Sequence, residues 1–424
     1  MGFVLMVNIK RGNYYFLANL ILFKNLMVKL NHKVSFLWAF PILIFLKLTR
    51  IEKKIRFIEL DFDKRIGNQI PQSYFFMLKF GKFSNNKLNI FFLVKEINRT
   101  WSRLIKKEIY HAPDWLNLVY WNSKIKIIKS EVIIANRHDL NFATYDTEGL
   151  MAKSEVMVKF DKKDNIIGKS WLLHNGWKSG QKIVSILVRD DAYLKQHDYR
   201  IDFSYHSYRD SDIMSYLPAI DLLLDRGYFV IRMGSKTNKD VTNNVNSKSF
   251  VDYSWCEGKS DFLDIWLMAN SDLIISNGTG HDRLAQIYKI PMLLINYLPL
   301  SGSMTSSHCM NAPKKLFWEH NNEILDFNDY FNNNFMRTED YLKNNIRITD
   351  LDSGEILSIV DNFLQITNND VIGSTNGVVN IDKLWLDLQT NSKFGQYHIY
   401  RNENFSFSEF WLKTAGIKFS NYIK

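Results

Sequence analysis

Cysteine is nearly absent from this chain: Cys256 and Cys309 are the two among 424 residues. That count excludes a disulfide framework and a CxxC metal knot, and it points to a reducing compartment. Long hydrophobic runs are missing too. The apolar stretches Tyr14 to Leu30 and Val34 to Leu48 are broken or flanked by Lys24, Lys29, Lys33, Lys47, Arg50, Lys53 and Lys54. Pro41 interrupts the second, and neither reaches the roughly 18 uninterrupted apolar residues of a spanning helix. No small-residue cleavage site of the Ala-x-Ala kind follows, which argues against a secretory signal. There is no GxGxxG and no Walker A sequence, so a dinucleotide enzyme or a P-loop ATPase is disfavoured. No HxH or HExxH brings histidines to metal-ligand spacing, and no internal repeat is visible. Asp61-Phe62-Asp63 has the spacing that can hold a cation on a diphosphate, but isolated carboxylates are usually solvated, and no metal is expected.

What is present is a folded composition, 46% hydrophobic and 23% charged, with a net charge of +10. The length suggests two domains. The positive balance suits an anionic partner such as a membrane surface, a nucleotide or a nucleic acid. The lysines concentrate beside the apolar N-terminus and not in a basic patch interleaved with aromatics, so no nucleic-acid partner is expected. Apolar faces with lysines at their edges suit a segment lying in a membrane interface; two helices packed on the domain are the alternative. The expected organisation is a membrane-associating helical segment over 1–54, a first α/β domain over 55–175, a second over 176–365, and a tail over 366–424. The tail is too aromatic to be disordered (Trp385, Phe405, Phe407, Phe410, Trp411) and is expected to pack back on the core.

The second half alternates clearly. Strands are expected at Ile183 to Val188, Tyr228 to Met233, Leu273 to Ser276 and Met292 to Asn296. Helices are expected over Ile213 to Leu224, Asp261 to Ala269 with Ser260 as cap, and His281 to Tyr288. Pro218 predicts a kink or a later start in the first of these. Such alternation specifies a parallel, doubly wound sheet. In the first half, Ile55 to Leu60 and Asn89 to Glu96 read as strands, 70–80 and Thr100 to Lys107 as helices, and 125–135 is ambiguous. Polar clusters between Lys159 and Gln181 suggest a junction, with a helix around Gly168–His174.

Ligands bind outside the carboxyl ends of parallel strands. Those ends carry Arg189 and Asp190; Arg232, Met233 and Gly234; Ser276, Asn277, Gly278, Thr279 and Gly280; and Asn296. A phosphate needs such parts: a guanidinium, backbone N–H groups that glycine lets approach, and hydroxyls. Tyr205, His206, Tyr208 and Arg209 precede a helix start and suit a base or sugar platform, a packed loop being the alternative. Arg65, Gly67 and Asn68 form a polar loop after the first strand. Asp190 and His206 are the leading acid–base candidates, with Asp61 and Asp63 also open.

The segments Ser185 to Leu194, Ser204 to Asp212, Gly227 to Gly234, Ser260 to Ile265 and Asn296 to Leu300, taken in order, resemble a group of bacterial glycosyltransferases. The Arg65-Ile66-Gly67 loop has its counterpart there as well. The family loop tends to read Gly-Thr/Ser-Ser-Gly where this chain has Ser276-Asn277-Gly278-Thr279-Gly280. The resemblance implies a GT-B-like enzyme, with two Rossmann-like doubly wound domains facing a cleft. The second would hold a nucleotide-diphosphate sugar, a substrate and not a cofactor, and the first a glycan or lipid-linked glycan acceptor. It also implies a place in surface polysaccharide or lipopolysaccharide assembly, in the cytoplasm on the inner face of the membrane. A nucleotide-sugar epimerase or hydrolase, and a non-catalytic glycan- or partner-binding protein at the membrane surface, remain the rivals.

Overall fold

The computed structural model describes residues 41, 44–60, 66–93, 96–113, 116, 130–135, 149–197, 204–299, 309–368, 406–408 and 411. Most of the N-terminal apolar segment, the Asp61-Phe62-Asp63 pair and Arg65 lie outside them. Of the apolar segment, 44–48 is helical, with Ile44, Phe45 and Leu48 exposed. Among the described residues no helix is long and apolar enough to cross a membrane.

The α/β chain divides into two units that do not follow chain order. One comprises Met1–Leu60, Phe80–Val94 and Ile109–Ala135; the other comprises Asp61–Lys79, Lys95–Glu108 and Asn136–Lys424.

The first unit holds a mixed sheet. Its strands are β1 (Ile55–Leu60), β2 (Phe83–Ser84), β3 (Lys87–Leu93), β4 (Tyr110–His111) and β5 (Glu131–Ala135), in the order β2-β3-β1-β5 with β4 on β3. β1 runs parallel to both neighbours. Every one of its residues is buried, Arg56 and Glu59 included. Arg56, buried within it, donates from Nη1 to Ser84 and Asn89 and pairs with Glu131. The strand inside the ambiguous 125–135 stretch is β5.

The second unit is built on a seven-stranded sheet. Its strands are β6 (Ile183–Leu187), β7 (Phe229–Arg232), β8 (Phe250–Asp252), β9 (Leu273–Ser276), β10 (Met292–Ile295), β11 (Cys309–Ala312) and β14 (Ser406–Phe407). The order is β14-β11-β10-β9-β6-β7-β8, and every pairing is parallel. The chain leaves β6 in one direction through β7 and β8, then returns to the other side of β6 for β9, β10 and β11. Setting β14 aside, this is the 3-2-1-4-5-6 order of a doubly wound sheet, and its topological switch point lies between β6 and β9. A separate antiparallel pair joins β12 (Lys315–Trp318) to β13 (Ile346–Thr349).

Among the helices of this unit are α1 (Ile66–Phe80), α2 (Arg99–Glu108), α3 (Lys162–His174), α4 (Leu217–Asp225), α5 (Asp261–Ala269), α6 (Arg283–Tyr288) and α7 (Ser353–Asn368). Pro218 stands in the first turn of α4, where its missing N–H costs nothing, and a 3-10 turn precedes it. Ser260 caps α5 by accepting from the Leu263 N–H at 3.2 Å. α6 starts at Arg283, two residues later than its sequence suggests, leaving His281 and Asp282 in the preceding loop. The core gathers apolar residues of β6, β7, β9 and β10 with Ile220 and Leu223 of α4 and Ile356, Ile359 and Phe363 of α7. Trp411 of the tail is buried there, donating from Nε1 to the Pro313 carbonyl at 2.7 Å.

Candidate functional site

At the switch point the loops after β6 and β9 are tied together. The Arg189 N–H donates to Asn277 Oδ1 at 2.8 Å, and Asn277 Nδ2 reaches the Arg209 carbonyl at 3.3 Å. Arg209 in turn donates from Nη2 to the Gly278 carbonyl at 2.7 Å. Gly278 sits at φ +91, a conformation costly for any residue with a Cβ. Ser276 Oγ donates to Asp282 Oδ2 at 3.2 Å and accepts from the Gly278 N–H. Asn277 and Ser276 are therefore braces of the loop and do not line its cavity.

A cavity of about 540 Å³ opens above these loops. Arg189, Asp190, His206, Tyr208, Arg209, Gly234, Gly278, Thr279 and Gly280 line it, as do Gly67 and Asn68 at the start of α1. The helix start meets the loop glycine to glycine: a Cβ on Gly67 would stand 2.8 Å from the Gly280 Cα. First-turn amides of a helix lack intrahelical partners, and the first turn of α1 carries no acidic residue. Both features favour an anion there. Among the described residues Arg209 Nε and Thr279 Oγ1 are buried without a hydrogen-bond partner.

Two further residues expected at the anion site, Arg232 and Asn296, do not line the cavity. Arg232 is the last residue of β7, is 1% exposed, and is held by Asp252 Oδ2 at 2.7 Å. Its side chain stays in the sheet, where a buried partner neutralises it. Asn296 is fully buried, and its Oδ1 accepts the Leu351 N–H at 2.7 Å. Neither lines the cavity. Tyr205 does not line it either; its ring is tilted 37° to that of His206, with centroids 4.0 Å apart, and lies 4.7 Å from the Arg337 guanidinium.

Asp190 does line the cavity, but its carboxylate accepts the Ala192 N–H at 3.0 Å and the Asn238 N–H at 2.7 Å. It ties the β6 loop to the loop after β7. Arg189 lies 3.3 Å from Asp210. Burial pushes the Asp210 carboxyl up to about 6, against the pull of Arg189. Beneath them Lys314, held below the ordinary lysine range by burial, contacts Asp350 and the Asp210 carbonyl.

The cavity also gathers Asn98, His281, Asp282 and Arg283, which the sequence did not single out, and Asp261, Asp264 and Tyr297 of the segments that carry the resemblance. Burial holds the His281 imidazole below its ordinary value, with Asp264 and then Asp282 pulling the other way. Asp264 is raised by burial and accepts the Tyr253 hydroxyl at 2.8 Å. A neutral imidazole with a carboxylate nearby can accept a proton at neutral pH. The signal for His281 was its position directly after Gly280. Asn98 caps α2, accepting the Trp101 N–H at 2.8 Å and donating to the Asp261 carbonyl at 2.9 Å.

No family model and no curated protein matches the chain. Among solved structures it is similar to the glycosyl transferase family 9 protein from Veillonella parvula DSM 2008, at TM-score 0.38 and 9% identity, over 61% of this chain and 86% of that one. It is also similar to the E. coli ADP-heptose LPS heptosyltransferase II, at TM-score 0.35 and 13% identity, over 61% and 89%.

Proposed function

We propose that the protein transfers a glycosyl group from a nucleotide-diphosphate sugar to a hydroxyl of a glycan or lipid-linked glycan, in the assembly of a bacterial surface polysaccharide. The observation that carries this reading is the cavity at the β6/β9 switch point, where Arg189, Arg209, the Gly278–Gly280 loop and the start of α1 converge. Its volume lies within the range of small-molecule sites, and its donors match a diphosphate. The ordered motifs between Ser185 and Leu300 support the same donor class.

In the transfer, the acceptor oxygen bonds to the anomeric carbon while the bond from that carbon to the diphosphate oxygen breaks. Negative charge grows on the departing diphosphate. Arg189 and Arg209 line the cavity to stabilise it, and donors fixed in advance do so without reorganising. The acceptor proton goes to His281, kept neutral by burial and facing the same cavity. The hydrogen bonds that Asp190 already accepts favour His281 over it as the base. The work is expected in the cytoplasm, at the inner face of the membrane.

A thermal-shift screen against nucleoside diphosphates tests the reading. One base is expected to raise the melting temperature by several degrees through ligand linkage, and Arg189→Ala is expected to abolish the shift. A panel in which no nucleoside diphosphate stabilises the protein would sink the proposal.

A further inference from the structure

Helix α3 (Lys162–His174) wears its apolar side chains on the outside. Its inner face is Asp164, Gly168 and Leu172. Gly168 lets it lie directly on the Trp266 ring of α5: a Cβ there would stand 2.2 Å from the ring. Trp266 Nε1 donates to Asn165 Oδ1 at 3.0 Å. The seating of the helix thus uses a glycine, a leucine and a tryptophan. Ile166, Ile167 and Leu173 take no part in it and are 66%, 46% and 55% exposed. An ordinary surface helix places such residues inward.

The charge on this outer face has one sign. At 100° per residue, Lys162 and Lys169 flank the Ile166–Leu173 stripe, and Lys163 lies between it and Ile167. All three lysines are exposed. No carboxylate occurs on the outer face. The two acids at the start of the helix are already engaged by α2, Asp161 by Lys107 at 2.6 Å and Asp164 by Arg103 at 2.9 Å.

We propose that the outer face of α3 docks on an anionic lipid surface, its three apolar side chains entering the headgroup–acyl boundary and its lysines meeting the lipid phosphates. Lysines snorkel from such a position, their stems apolar and their ammonium groups in the headgroups. The charge complementarity favours this occupant over a second copy of the chain, whose matching face would bring lysine against lysine. The inference rests on α3 alone and stands whether or not the protein transfers sugars.

The test uses the full chain in a Cys256→Ser background, with a nitroxide label at Leu173→Cys or, as a control, at the exposed Leu342→Cys. With mixed phosphatidylglycerol–phosphatidylcholine vesicles, the label at 173 is expected to become accessible to oxygen and shielded from a water-soluble nickel relaxant. The label at 342 is expected to stay aqueous. Lys162→Gln with Lys163→Gln and Lys169→Gln is expected to weaken partitioning into these vesicles by roughly 100-fold. A protein that does not bind them, a label at 173 that stays in water on bound protein, or partitioning unchanged in the triple variant overturns the proposal. So does shielding of that label without vesicles that grows with protein concentration, which would assign the face to a second copy.

Discussion

The loops after β6 and β9 differ from the ends of β7 and β10 in how they use the same kind of residue. Arg189 stands two positions beyond the last residue of β6 and faces the cavity. Arg232 is the last residue of β7 and is locked to Asp252 within the sheet. Likewise Gly278, Thr279 and Gly280, beyond β9, line the cavity, whereas Asn296, immediately after β10, caps the approach to α7 through Leu351. A polar residue two or more positions past its strand can reach the cavity wall, as Arg189 and Thr279 do. While it is still in register, burial demands a partner inside the protein.

The largest expected effect breaks this comparison from its structural side. Arg232→Ala leaves Asp252 buried without its cation, and about 3–5 kcal/mol of stability is expected to be lost. Urea denaturation measures it; a variant as stable as the parent would mean that Arg232 is not a core ion pair.

An effect of about 1–3 kcal/mol is expected from overpacking at Gly280→Ala, because its Cβ would fall 2.9 Å from Gly67 backbone atoms. The start of α1 must then move off the glycine loop. Ligand affinity is expected to fall along with stability, which calorimetry and thermal unfolding report together. Native melting and native affinity in the Gly280→Ala variant would remove the glycine contact from the site.

The smallest effect is a pH dependence. Asp210 titrates near 6 in the folded protein, above its ordinary value of 3.8. The folded state therefore holds more protons than the unfolded one between those values, and this carboxyl's contribution to stability falls as pH rises through that window. Ionised Asp210 also competes for Arg189. Affinity for a nucleotide sugar, which does not itself titrate there, is expected to drop a few-fold as pH rises through about 6. Asp210→Asn is expected to flatten that profile, and a slope retained in the variant would place its origin elsewhere.

How far the sequence foretold these features follows from particular elements. Strands β6, β7, β9 and β10 were legible because buried parallel strands read as continuous apolar runs. β8 was not: it is three residues long, Phe250–Asp252, and follows a polar stretch of Asn, Lys and Ser. Missing β8 hid Asp252, and with it the reason Arg232 is unavailable to a ligand. β11, Cys-Met-Asn-Ala, has almost no strand-like composition and is held by its neighbours in the sheet. His281 reads as a helix residue because apolar spacing continues through it. The late start of α6 instead leaves it in the loop on the cavity wall. The assignment of 66–79 and 95–108 to the unit that holds the doubly wound sheet depends on contacts such as Gly67 with Gly280, which no local pattern encodes.

The central claim is that the β6/β9 switch point binds a diphosphate through the loop residues that have left the sheet. Calorimetric titration of the best nucleoside diphosphate into the parent and Arg189→Ala proteins tests it most directly. Saturable binding to the parent and a loss of at least about tenfold in the variant are expected, as for one charge-assisted contact. Equal affinity in the two proteins would contradict it.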